Sequence, residues 1–137
     1  MNDLLNPAQQ RSVTVALKMM EEHLRQILQW MSLSEEEGVL FRRKIDLSEE
    51  ERTKVMKKIN EGLDLIAQLA ERLNLQPVEE DLNSAIRSQM SVDWANMMDA
   101  RAEKLAGYGA VNPSLALTLD PSIERLAYVA LSLANLV

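Results

Sequence analysis

The sequence predicts an all-α protein, an up-and-down four-helix-type bundle, and three observations carry that expectation. Apolar residues recur at helical spacing along most of the chain, good capping residues precede each periodic stretch, and aromatics are scarce at 4%. Leu, Ile, Val, Ala and Met must therefore fill the core. At 137 residues one domain covering 1–137 is expected, with helices at about 7–32, 49–75, 77–106 and 121–136.

The first helix opens at Asn6-Pro7, a good N-cap followed by a residue pre-set for the first helical position. Val13, Leu17, Met20, Leu24, Ile27 and Met31 follow at alternating spacings of four and three, the seam of a left-handed bundle. Next, Leu33-Ser34-Glu35-Glu36-Glu37 recurs as Leu47-Ser48-Glu49-Glu50-Glu51. Each phrase is a capping box, with the serine bonding the third amide and the third glutamate reaching back. The first box predicts a short extra helix at about 35–45, through Val39, Leu40, Phe41 and Ile45.

The second box opens the second helix, whose seam is Val55, Ile59, Gly62, Ile66, Leu69 and Leu73. A glycine on that seam costs about 1 kcal/mol of helix propensity, which a close helix approach explains. The third helix is expected from Pro77, with Glu79, Glu80 and Asp81 in its first turn, to Ala106, with Gly107 as its cap. It carries two stripes: Leu82, Ile86, Met90 and Met97 on one side, Ala95, Met98, Ala102, Leu105 and Ala106 on the other. Either it breaks near Ser88–Ser91 or it is buried on both sides. Asp93 lies on the first stripe, where a buried unpaired carboxylate would be costly.

An apolar connector follows, with Leu115, Leu117 and Leu119 alternating, and Asp120-Pro121 reads as the start of the fourth helix. Beyond Arg125 that helix is almost wholly apolar, so it calls for burial on every side. A lone four-helix bundle leaves each helix an outer face, so a neighbouring subunit is the simplest cover.

The composition narrows the function classes. An apolar share of 47% and a charged share of 26% belong to a folded globular chain. The absence of cysteine removes disulfides, thiolate ligands and thiol nucleophiles, and favours a reducing compartment. The first seven residues lack the basic and apolar regions of a signal peptide. The apolar run Leu126–Val137, broken by Ser132 and Asn135, falls short of the ~20 residues a membrane span needs. A cytoplasmic location is therefore expected.

The net charge of −6 opposes general nucleic-acid binding. Charge is uneven, however. Between 42 and 58 the cations Arg42, Arg43, Lys44, Arg52, Lys54, Lys57 and Lys58 outnumber the acids Asp46, Glu49, Glu50 and Glu51, so this stretch carries +3 and the remainder −9. An anionic partner engaging Arg42, Arg43, Lys44, Lys54, Lys57 and Lys58 is one reading, and a solvated helix face with pairs such as Glu50–Lys54 is another.

Reaction chemistry finds few footholds. His23 is the only histidine, which excludes the repeated Glu-x-x-His sets of di-iron bundles and leaves a single imidazole for any serine nucleophile. The four glycines form no phosphate loop. No catalytic, cofactor-binding or metal residue is assigned, and no cofactor is expected. One weaker pattern remains, in Glu21-Glu22 on the first helix and Glu61-Gly62-Leu63-Asp64 on the second. It resembles the carboxylate sets of all-α nucleoside triphosphate pyrophosphohydrolases, and that resemblance implies magnesium held by Glu21, Glu22, Glu61 and Asp64. The chain departs from the family at Arg25, which stands where the third acid of the first set belongs.

The residues thus favour a non-enzymatic interaction module, a homodimer or small adaptor subunit. The expected interface is the fourth helix and one face of the third: Ala95, Met98, Ala102, Leu105, Tyr128, Leu131 and Leu136. Trp30, Trp94 and the eight methionines could instead line a ligand pocket in the bundle.

Overall fold

The computed structural model describes residues 4–32 and 35–137. The chain is all-α apart from one small two-stranded sheet, and it divides into two compact units, Met1–Val78 and Glu79–Val137.

The first unit contains α1 (Pro7–Ser32), β1 (Glu35–Glu37), β2 (Arg42–Lys44) and α2 (Glu49–Arg72). A reciprocal capping box starts α1: Gln9 N donates to Asn6 Oδ1 at 2.8 Å, and Asn6 N donates to Gln9 Oε1 at 3.0 Å. At α2, the Ser48 side chain accepts from Glu51 N at 3.1 Å, with three glutamates in the first turn beside the positive helix end. The helix closes with Asn74 left-handed at φ 51°, while Leu75 N donates to Ala70 O at 2.8 Å.

The two helices run antiparallel, since Arg52 at the start of α2 donates to the Met31 carbonyl at the end of α1 at 3.1 Å. That bond satisfies one of the carbonyls a helix end leaves orphaned. Leu24 and Ile59 are buried between them, flanked by half-buried Val13, Leu17, Ile27, Val55, Leu63 and Ile66. Gly62 sits where a Cβ would stand 2.9 Å from Leu24 Cδ1, the close approach its place on the seam implies. Met20, on the expected seam, is exposed instead.

The extra helix expected at 35–45 is a β-hairpin. Leu33 and Ser34 lie outside the described residues. Glu35–Glu37 pair antiparallel with Arg42–Lys44, each acid opposite a cation. Opposite charges facing across a ladder stabilise the pair, and this complementarity outweighs the capping phrase. Gly38 N donates to Phe41 O at 2.9 Å across the turn. A Cβ at Gly38 would meet the Phe41 ring at 2.5 Å, so only glycine lets the ring lie there.

The second unit contains α3 (Leu82–Asp99), a short α4 (Ala102–Leu105) continued as a 3-10 turn, and α5 (Leu115–Leu136). Here α3 starts five residues later than expected, because Asp81 serves as its N-cap, accepting from Asn83 N at 3.0 Å and Ser84 N at 3.4 Å. It stays continuous through Ser91, whose hydroxyl donates back to the Arg87 carbonyl at 2.8 Å. The break falls at Ala100–Arg101 instead. Asp93 is exposed, so no carboxylate is trapped on α3.

α5 begins at Leu115, six residues before the expected start, and carries Pro121 inside it. Leu115, Leu119, Ile123 and Ala127 recur every fourth residue and all turn inward, so two of the connector's three leucines belong to a helical stripe, while Leu117 between them is exposed. Arg87 donates to Val137 O at 2.8 Å, and Ala102 N donates to Asp120 Oδ1 at 2.9 Å. α3 and α5 therefore run antiparallel.

Candidate functional site

The sides of α5 differ in what covers them. Its buried residues are Ile123, Ala127 and Ala130, with Ala134 half-buried on the same line. Small residues on this seam let α3 approach closely, so α3 covers backbone and methyl groups and leaves the larger side chains out. Leu126, Val129, Leu133 and Leu136 form a second line at spacings of three, four and three, and all four are exposed. It lies roughly 110° round the helix from the alanine seam. No charged residue follows Arg125 on α5, so nothing polar divides the line except Ser132 and Asn135, which lie off it.

The expected interface residues distribute unevenly on this frame. Tyr128, 70% exposed, and Leu131 flank the alanine seam on its other side, while Leu136, 81% exposed, ends the second line. Ala95 is exposed on α3, and Met98 and Leu105 are half-buried. Ala102 is 5% exposed, buried within its own unit, and has no surface to offer a partner. Leu126, Val129 and Leu133 were not singled out by the sequence pattern, although their bundle-like spacing marks them.

The basic residues of 42–58 fall on two elements. Arg42, Arg43 and Lys44 form β2, whereas Lys54, Lys57 and Lys58 lie on exposed turns of α2. Most are paired locally: Arg42 with Glu37 at 3.2 Å, Arg43 with Glu36 at 3.4 Å, Lys54 with Glu50 at 3.2 Å and Lys58 with Glu61 at 3.2 Å. Arg43 also stacks over the Phe41 ring at 4.6 Å. Val39 and Leu40 form the hairpin tip, 99% and 95% exposed. Beside the hairpin a cleft of about 390 Å³ is lined by Trp30, Glu36, Arg42, Arg43, Lys44 and Ile45.

Among the described residues, no three carboxylate or histidine side chains gather where they could hold a metal ion. Glu21 is paired with Arg25 at 2.8 Å and Glu22 with Lys18 on α1 itself, while Glu61 meets Lys58. Glu21, Glu22, Glu61 and Asp64 are thus not drawn into one set, and Arg25 neutralises the acid it follows. His23 is exposed.

No family model, curated protein or solved structure matches this chain. Among the described residues no helix is long and apolar enough to cross a membrane.

Proposed function

We propose that the protein is a non-enzymatic helical interaction module that self-associates through α5, with a second copy of the chain as the partner. The observation that carries this is the exposed line Leu126–Val129–Leu133–Leu136 on a helix whose opposite need, close contact with α3, is already met by alanines. Apolar area left in water at this density marks an interaction surface. Two isolated compact globules, each of half this mass, would together expose about 8700 Å², whereas this chain exposes 11097 Å². The excess, roughly 2400 Å², is more than the ~800 Å² that each partner contributes to a standard interface.

The spacing also suits a second copy. Three-four-three reads the same in both directions, so a two-fold axis crossing the line midway between Val129 and Leu133 sets Leu126 against Leu136 of the other chain and Val129 against Leu133. An isologous interface requires this self-complementarity.

Light scattering tests the reading. A mass of twice 15.5 kDa is expected at tens of micromolar, returning to 15.5 kDa in Leu133→Glu with helix content kept. A monomeric wild type overturns self-association. If Leu133→Glu then also unfolds at lower temperature, the face is covered from within the chain.

A further inference from the structure

The cleft beside the β-hairpin has features that a solvated salt-bridge surface does not require. Its walls combine one flat aromatic side chain, Trp30, and an aliphatic one, Ile45, with three cations and one carboxylate. Trp30 is half-exposed although it is among the largest apolar groups in the chain. Its volume of about 390 Å³ lies within the range of small-molecule sites, about 300–1,000 Å³.

We propose that this cleft binds a small planar aromatic anion that also carries an N–H donor. The ring of such a ligand stacks on Trp30, since an aromatic face accepts any flat π-system. Its acidic group, carboxylate or phosphate, meets β2. Arg42 offers a planar guanidinium group suited to either acid, on the same face of β2 as Lys44, which makes no ion pair with a described residue. The pair that engages Arg42, at 3.2 Å, is exposed, and such a pair is weak enough to be shared with an arriving anion. Among the described lining residues Glu36 carries the one carboxylate, and it selects a ligand with a donor over a plain anion.

A long polyanion fits less well. The net charge of −6 repels it, and only one aromatic side chain lines the cleft. The other ring of the hairpin, Phe41, is already taken up by Gly38 on one side and Arg43 on the other. The proposal is independent of self-association, because the cleft belongs wholly to Met1–Val78 and α5 to Glu79–Val137.

The test uses the full chain with Trp94→Phe, which leaves Trp30 as its only tryptophan. Adenosine monophosphate and 2-aminobenzoate are titrated against its fluorescence, with adenosine, inorganic phosphate and a glutamate-rich peptide as further arms. Saturable quenching by either of the first two supports the site. Response to the nucleotide alone assigns a phosphate ligand, and to the benzoate alone a carboxylate. The double substitution Arg42→Gln/Lys44→Gln should weaken that binding by about fivefold or more, with unchanged circular dichroism. In the unaltered chain, added salt should weaken it too. Quenching that is linear, equal for adenosine, or saturable only with the peptide overturns the proposal.

Discussion

The Asp120 carboxylate, one and a half turns into α5, accepts a hydrogen bond from the backbone N–H of Ala102 at 2.9 Å. Ala102 is the first residue of α4, and Arg101, its formal cap, supplies no side-chain bond. Asp120 therefore caps a helix other than its own, and it fixes the chain reversal between α3 and α5. Asp120→Ala should cost about 1 kcal/mol, the usual loss when a cap is removed. Asp120→Asn, which keeps an acceptor oxygen, should cost less. Thermal unfolding of the two variants against the unaltered chain measures the difference; no loss in Asp120→Ala would mean that the bond contributes nothing.

The same residue marks where the sequence could be read and where it could not. Asp120-Pro121 has the form of a helix start, and in α1 the similar pair Asn6-Pro7 is one. The two cannot be told apart locally. What decides is that Leu115, Leu119 and Ile123 share an inward stripe with Ala127, so burial carries the helix back past the proline. α2 was legible because cap, acidic first turn and apolar seam agree along it. The hairpin was not, because the pairing of Glu36 with Arg43 and of Glu37 with Arg42 is a relation between segments that a local capping phrase does not contain. The surplus apolar surface of α5 was legible as composition. Which side α3 covers depended on the alanines.

Magnesium should leave the unfolding temperature of this protein unchanged. Glu21 and Glu22 are engaged by Arg25 and Lys18, Glu61 by Lys58, and no three acids converge among the described residues. A site that bound the ion would add about 2.7 kcal/mol of stability at a hundred times its dissociation constant. A clear upward shift in millimolar magnesium, lost in Asp64→Asn, would restore the carboxylate set as a metal site.

Gly38→Ala should dismantle the hairpin while sparing both helices of its unit. The new Cβ would lie 2.5, 2.8 and 2.9 Å from three carbons of the Phe41 ring, which Arg43 backs at 4.6 Å. The ring has to leave, and the stacked guanidinium goes with it. Phe41 is the only phenylalanine, so its ring signals and the ring-current shift of the residue 38 α-proton report the change directly. An unchanged proton spectrum at Arg43 would show that the turn tolerates a methyl group. Helix content should stay constant in either case.

Two apolar exchanges on α5 should act in opposite ways, and together they separate its covered side from its open one. Ala130 is buried against α3, so Ala130→Leu forces extra methylenes into a closed seam, at a typical cost of about 1–3 kcal/mol. It should lower the unfolding temperature and leave the oligomeric mass alone. Leu133, one turn along on the exposed line, should respond in reverse. Leu133 is 44% exposed, so Leu133→Gln should cost the isolated fold less than Ala130→Leu does, yet the apolar line is interrupted at its centre and association weakens. Unfolding at several protein concentrations resolves the two effects, because a self-associating chain melts higher as concentration rises. That dependence should persist in Ala130→Leu and disappear in Leu133→Gln.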